Sequence, residues 1–302
     1  YRLWKYAYKL SKRLAPDKKP APQLPAQQPI KHARFVHYMS RKPIAKVVYE
    51  EGAFGATSVA LQYREQFPDA KIGVMVAANS GRPLGDVGDG KGTQKVHVHH
   101  RTQEEDVVSA WLVGECGEGK QQCYDALYEQ TVKGKWGMKN ISGTDGATIQ
   151  GVDYVNTTDA NDYDDAYVVR DATLQEKAMS GKGKIWSDKK QISNVTLVFC
   201  AGPNAGAEGT PTGSMTRTLN RKAATDYDFF KKCLRVALTA SLDAMHAEGC
   251  TIALVAQVSC GIYAGKHQHQ INKQFKALVQ DIVECRNYGF DRVAIPKLRP
   301  QP

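Results

Sequence analysis

Three glycine-rich segments each follow a short apolar run, an arrangement that binds phosphate groups through backbone amides. They span residues 79–92, 201–206 and 259–265. Glycine has no side chain, so the backbone N–H groups around it can approach phosphate oxygens closely. If the apolar runs are parallel strands, the segments meet at one edge of the sheet. The pattern predicts a diphosphate site lined by Gly85, Gly88, Gly90, Gly202, Gly261 and Gly265.

Carboxylates are concentrated in and after the first of these segments. Asp86 and Asp89 lie within it, and Glu104, Glu105 and Asp106 follow it. Hydrolysis of a sugar bond uses a carboxylic acid to protonate the leaving group or a carboxylate to activate water. Crowded carboxylates beside a diphosphate raise the pKa of at least one of them, which suits a general acid. The candidate catalytic residues are therefore Glu105, Glu104, Asp89 and Asp86.

Two other kinds of site fit this sequence less well. The stretch from Gly85 to Gly92 is one residue away from the motif GxxxxGK[ST], but Gly92 lacks the hydroxyl that would bind magnesium. His97, His99 and His100 have no acidic or cysteine partner at metal-ligand spacing. We therefore expect no metal and no other cofactor.

The elements that must position these residues are read from the hydrophobic pattern. Continuous apolar runs at 71–78, 194–200 and 251–259 predict buried strands, with weaker strand signals at 147–155 and 166–169. Helical spacing predicts helices over 104–113, from a cap at Thr225 or Asp226 to Gly249, and over 270–285. Alternating buried strands and helices indicate an α/β fold with a covered, mixed central sheet. Residues 114–193 read as an irregular insertion.

The positive charge of the chain is confined to its first residues. The whole chain has 41 Lys and Arg against 31 Asp and Glu, a net charge of +10. Residues 1–46 alone hold 12 of the bases and one of the acids, so residues 47–302 are nearly neutral. Five prolines between residues 16 and 29 prevent a regular helix in the second part of this segment. We expect a basic, proline-rich arm over 1–46, which binds an acidic partner or a membrane surface, and a catalytic domain over 47–302.

The seven cysteines are odd in number, irregularly spaced and without a CxxC pair. That pattern argues against a disulfide framework and a zinc ribbon. Several lie in apolar runs, as Cys200 does, so we expect small core residues in a reducing compartment. The expected location is the cytoplasm, or the cytosol of a host cell if the protein is a secreted effector.

Three stretches resemble the macrodomain superfamily, whose members are ADP-ribose-binding modules with three α/β/α layers. The stretch over 72–92 joins an apolar strand to Ala-Ala-Asn-Ser and a glycine-rich loop, as their first ligand loop does. The run 195–203 is similar to their strand that ends in Gly-Pro. The stretch 231–265 resembles their helix, strand and phosphate-binding second loop. Gln103-Glu104-Glu105 is similar to the Gln-Glu-Glu signature of poly(ADP-ribose) glycohydrolase-type members, although the consecutive glycines that precede it there are separated here.

The resemblance implies roles for single residues. Asn79 would hold the distal ribose, the glycines would line the diphosphate, and Glu105 would be the catalytic acid. The other positions expected to contact the ligand lie in the signature and the two later loops: Gln103, Asn204, Ser259, Ile262, Tyr263 and Ala264.

The function implied is an ADP-ribosylhydrolase that cleaves the ribosyl C1″ bond of protein-linked mono- or poly(ADP-ribose). Its partners would be ADP-ribose and an ADP-ribosylated protein, without nucleic acid, and the chain would act as a monomer. Two alternatives stay open: a reader that binds ADP-ribose without turnover, and a nucleotide phosphohydrolase that uses the same carboxylates with magnesium.

Overall fold

The computed structural model describes residues 43–52, 55–77, 166–180, 183–206 and 222–298, together with Gln103, Val107 and Ala110. Within this part of the chain, six strands, three helices and one 3₁₀ segment follow each other along the sequence. They are β1 (Val47–Gly52), α1 (Ala56–Gln66), β2 (Ile72–Ala77), β3 (Tyr167–Ser180), β4 (Gly183–Cys200), α2 (Tyr227–Ala247), β5 (Ile252–Leu254), the 3₁₀ segment (Ile262–His267), α3 (Gln268–Arg286) and β6 (Arg292–Leu298).

The six strands form one mixed sheet in the order β1-β6-β5-β2-β4-β3. Every pair of neighbouring strands in this order is parallel except the last, in which β3 is antiparallel to β4. Parallel neighbours place the carboxyl ends of β2, β4 and β5 at the same edge of the sheet. The glycine-rich segments at 201–206 and 259–265 therefore begin from one edge, as the sequence predicts.

The sheet is covered by helices on both faces. The cluster on one face joins α2 and α3 to strand residues such as Val198 and Ile295. The cluster on the other face joins α1 to Val74 and Leu197 and includes Val107 and Ala110, both of which are helical. Strands buried on both faces need continuous apolar sequence, which β2 and the end of β4 have. The predicted α/β class with three α/β/α layers and a mixed central sheet is confirmed.

Helix α2 is the element that the sequence predicts most closely. Asp226 is its N-cap, and the carboxylate accepts a hydrogen bond of 2.9 Å from the backbone N–H of Phe229. The helix ends just before Gly249, whose φ of +72° lies in the left-handed region that favours glycine. Every residue of the predicted apolar stripe is buried: Phe230, Leu234, Leu238, Leu242 and Met245.

Several strands differ from the prediction in extent. The run expected to form a strand over 251–259 forms one only at 252–254, because the chain turns at 255–260. Residues 170–180 and 183–193, expected in an irregular insertion, belong to β3 and β4, whereas the weaker strand signal at 166–169 corresponds to the start of β3. The part of β4 before Val195 extends beyond β2, whose pairing with β4 starts at Val195, and it pairs with β3 alone. The arm 1–42, the strand signal at 147–155 and the rest of the proposed insertion lie outside the described residues, and the domain division stays a prediction.

None of the helices in the described part of the chain is long and apolar enough to cross a lipid bilayer. The same part of the chain contains five free cysteines. Four of them, Cys200, Cys233, Cys250 and Cys260, are buried, which confirms their expected place in the core, whereas Cys285 is exposed.

Replacing Asp226 by alanine removes the side-chain acceptor at the start of α2. We expect the free energy of unfolding to fall by about 1 kcal/mol, measured by urea denaturation of the full chain. Asp226→Asn keeps an oxygen acceptor and is the matched control, with an expected loss of no more than a few tenths of a kcal/mol. Equal losses in the two variants would show that the cap does not stabilise the helix.

Candidate functional site

The candidate site lies at the carboxyl edge of the sheet, where β5 ends before its neighbours. The backbone N–H of Thr251 donates to the carbonyl of Lys71, so the odd-numbered residues of β2 direct their backbone polar groups toward β5. The β2–β5 pairing stops at Val74, although β2 continues to Ala77. The carbonyl of Met75 and the N–H of Ala77 lie beyond this pairing and therefore have no β5 residue to pair with.

The side-chain amide of Gln103 takes the place of the missing strand. Its Nε2 donates to the carbonyl oxygen of Met75 at 2.8 Å, and its Oε1 accepts from the N–H of Ala77 at 2.8 Å. Both polar atoms of this side chain are thus bonded to the backbone of β2. The structure places Gln103, the first residue of the Gln-Glu-Glu segment, at the carboxyl end of a central strand.

The loops after β4 and β5 are joined backbone to backbone. The N–H of Ala205 donates to the carbonyl oxygen of Tyr263 at 2.7 Å. A Cβ atom at Gly206 would overlap the carbonyl oxygen of Ile262, and one at Gly265 would lie 2.6 Å from the carbonyl oxygen of Ala205. Each loop therefore requires a glycine where it meets the other, and the two loops form a single unit.

The second loop has further internal support. Ser259 is buried with a φ of +54°, and a Cβ atom at Gly202 would overlap its hydroxyl oxygen. The carbonyl of Cys260 accepts from Nδ2 of Asn272 in α3 at 3.2 Å, and the carbonyl of Gly261 accepts from the N–H of Ala264 at 3.0 Å. These bonds connect the loop to the helix that follows it.

The exposed part of this unit is at Gly261 and Ile262. A Cβ atom at Gly261 would have nothing within 4 Å, so the backbone there is open to a ligand. Ile262 is 71% exposed, which is unusual for a large apolar side chain next to a rigid loop. Tyr263 is half-buried, whereas Ala264 is completely buried and belongs to the core. Any contact that Ala264 makes with a ligand would have to come from its backbone.

In the first of these loops Asn204 forms a local turn, because its Oδ1 accepts from the N–H of Gly206 at 3.2 Å. Gly206 itself was not among the predicted site residues, although its place at the end of a glycine-containing loop was a usable signal. His267 was also missed. It is buried at the start of α3, Nε2 lies 2.9 Å from the carbonyl oxygen of Ala223, and the ring packs against Tyr227 and Phe230. No sequence pattern distinguishes this histidine from its neighbours.

Two thiols and one phenol close to the loops have raised pKa values. Burial raises the pKa of the Cys200 and Cys260 thiols to about 12. Burial, and secondarily the nearby Cys260, also raises the pKa of Tyr49. Among the described residues, the site is therefore built from backbone groups and neutral side chains, which matches binding through amides more than through fixed charges.

The other predicted site residues lie outside the described residues. They are Asn79, Gly85, Asp86, Gly88, Asp89, Gly90, Glu104 and Glu105. The structure brings together Gly202, Ser259 and the segment 261–265, and it places Gln103 at the end of β2. Whether these residues bind a ligand stays a prediction.

The chain is similar to solved structures of poly(ADP-ribose) glycohydrolase. The enzyme from Thermomonospora curvata is 12% identical, with 85% of this chain and 72% of that chain covered and a TM-score of 0.47. A single-residue variant of the enzyme from Deinococcus radiodurans, in complex with ADP-ribose, is 15% identical, with 87% and 82% covered and a TM-score of 0.47. No protein-family profile and no curated protein sequence matches this chain. We therefore base the proposed function on contacts within the chain itself.

Replacing Gly206 by alanine should separate the two loops, because the new methyl group would overlap the carbonyl of Ile262. We expect the free energy of unfolding to fall by roughly 1–3 kcal/mol, as overpacking against backbone does. Ile262→Ala is the matched control, since it changes the same loop contact but removes an exposed side chain and adds no atom. Urea denaturation measures both, and equal stability of the two variants would contradict the close approach.

The buried thiols predict a loss of stability at alkaline pH. In the unfolded chain a thiol ionises near its ordinary pKa of 9.0, whereas the folded Cys200 and Cys260 thiols ionise near 12. Their contribution to the free energy of unfolding is complete below pH 9. It is lost as the pH rises toward 12, by roughly 1.4 kcal/mol per pH unit for each thiol. Denaturation between pH 8 and pH 10.5 should show a steeper decline for the native chain than for the Cys200→Ala/Cys260→Ala variant. Identical slopes would mean that these thiols are not protected.

Proposed function

We propose that the chain is an ADP-ribosylhydrolase, which cleaves the ribosyl C1″ bond of ADP-ribose attached to a protein or to another ADP-ribose. The observation that carries the proposal is the pair of hydrogen bonds from the Gln103 amide to β2. They hold the start of Gln103-Glu104-Glu105 at the carboxyl edge of the sheet, on the side where β5 has ended. The loop unit of 201–206 and 259–265 begins at this same edge.

The two parts supply what hydrolysis of such a ligand requires. The open backbone at Gly261 and the neighbouring loop backbone suit the diphosphate, which amides can bind without a net charge in the protein. The exposed Ile262 offers an apolar contact to a sugar or base. Consecutive Cα atoms are 3.8 Å apart, so the Cα atom of Glu105 is at most about 7.6 Å from the Cα atom of Gln103. A carboxyl group is thereby kept within reach of a ligand that lies along this edge.

In the proposed reaction Glu105 acts as the acid and base. Its protonated carboxyl gives a proton to the leaving oxygen as the bond to C1″ breaks, and positive charge develops on the ribose. A water molecule then adds to C1″ and returns its proton to the carboxylate. The products are ADP-ribose, with a hydroxyl at C1″, and the acceptor group with its proton restored. Glu104, Asp89 and Asp86 are the further candidates for either proton transfer.

The experiment incubates an automodified, ADP-ribosylated protein with the full chain and measures free ADP-ribose. We expect release by the native chain and a loss of about 100-fold to 10,000-fold in rate for Glu105→Gln, which keeps the size and removes the acid. Asp106→Asn is the matched control, since it changes a neighbouring carboxylate that has no assigned role. Full release by both Glu105→Gln and Asp89→Asn would overturn the assignment.

The same assay separates the two alternatives. Tight binding of ADP-ribose by the native chain without any release would identify a reader. Release of AMP in place of ADP-ribose, with ribose phosphate left on the protein, dependent on magnesium and abolished by a chelator, would identify a phosphohydrolase. Release of intact ADP-ribose in the presence of a chelator supports the proposed function.

A further inference from the structure

A second concave surface lies between the start of β1 and helix α3. The groove has a volume of about 810 Å³, within the range of functional ligand sites. It is lined by Ile44, Lys46 and Val47 on one side and by α3 residues from Lys273 to Glu284 on the other. Those two α3 residues are eleven positions apart, so the groove is about 16 Å long at 1.5 Å per residue. A single phosphate would fill only a small part of it.

The walls of the groove are fixed to each other by Gln280. Its Oε1 accepts from the N–H of Val47 at 2.7 Å, and its Nε2 lies 3.3 Å from the carbonyl oxygen of Ala45 and 3.0 Å from Oε1 of Glu284. The bonds to Val47 and Ala45 join residues more than 230 positions apart in the sequence. The groove is therefore preformed, and ligand binding does not include a free-energy cost for ordering it.

The groove combines an apolar lining with unpaired lysines. Ile44 is 46% exposed, and the exposed side chain of Ala277 adds further apolar surface. Lys46, Lys273 and Lys276 form no ion pair with any residue that the structure describes. Glu284, the one acid in the lining, accepts from the Gln280 amide.

The charge around the groove continues onto the neighbouring strand. Lys276 lies 5.6 Å and Lys297 lies 3.7 Å from the centroid of the same Tyr49 ring. Two like charges held at one ring repel each other, and an anion placed between them would relieve that repulsion. The first half of α3, residues 268–280, contains lysines and no acid, although acids are favoured near a helix N-terminus.

We propose that this groove binds an extended acidic peptide segment of a partner protein, with apolar side chains against Ile44 and Ala277 and carboxylates beside Lys46, Lys273 and Lys276. Charge complementarity favours an acidic ligand, and the length of the groove favours an extended chain. The lining favours a peptide over a nucleic acid, because none of the described residues that line the groove is aromatic and able to stack with a base. The proposal does not depend on the hydrolase activity.

The test measures fluorescence anisotropy of a labelled peptide of about twelve residues, in which glutamates are interspersed with leucine and serine. A second peptide of the same charge has every leucine replaced by serine. The basic arm is present in the native chain and in every variant, so a loss of affinity that follows the groove substitutions is assigned to the groove. With the intact chain we expect the leucine-containing peptide to bind at least about tenfold more tightly.

The variants locate the binding to the groove. Lys273→Glu/Lys276→Glu should weaken binding of the leucine-containing peptide by about tenfold or more, and Ile44→Ser by about threefold. Lys231→Glu/Lys232→Glu on α2 is the matched control, since it changes the net charge equally outside the groove lining. Unchanged thermal unfolding shows that each variant is folded.

Three results would overturn the proposal. The first is equal affinity for the two peptides, which would show that the apolar lining makes no contact. The second is an equal loss of affinity in the groove variant and the α2 control. The third is tighter binding of an oligothymidylate of similar length that the groove variant abolishes, which would identify a nucleic-acid site.

Discussion

The shortness of β5 is the constraint on which the site depends. β5 lies in the interior of the sheet between β6 and β2, yet it has only three residues. Its early end leaves backbone polar groups of both neighbours without a partner strand, and such groups must be satisfied when they are buried. On β2 the Gln103 amide satisfies them. Gln103 is thereby held at the sheet edge by a requirement of the backbone.

The backbone of β6, the other neighbour of β5, also extends beyond the end of β5. The carbonyl of Ala294 in β6 accepts from the N–H of Val255, so the even-numbered residues of β6 direct their backbone groups toward β5. The next residue of β6 on this side is Pro296, which has no N–H group that needs a partner. A proline in an inner strand is tolerated here because the neighbouring strand has already ended. Beyond the end of β5, the backbone of β2 is therefore bonded to a side-chain amide, and β6 has a proline in place of a residue whose N–H would need a partner.

These contacts explain which parts of the fold the sequence predicts. Helix α2 is predicted because a cap, a stripe and a terminal glycine are all local signals. The end of β5 is not predicted, because the apolar pattern continues from Val255 to Val258. Only the tertiary structure shows that the chain leaves the strand there and turns toward the site. β6 was missed because Pro296 argues against an inner strand unless the length of β5 is known. The polar part of β4 was missed because only its pairing with β3, not burial, makes it a strand.

For the candidate site, the residue types were predictable and their contacts were not. The loops were recognised by their glycines, but the reason for Gly206 and Gly265 is the close approach of two backbones that are about 60 residues apart in the chain. That approach, like the Gln103 amide bonds, is a contact of neutral groups. It follows that the sheet edge can be shaped for an anionic ligand while residues 47–302 remain nearly neutral in net charge. The strong positive charge of the arm is then not needed at the site, and the lysines between β1 and α3 form a separate feature of the surface.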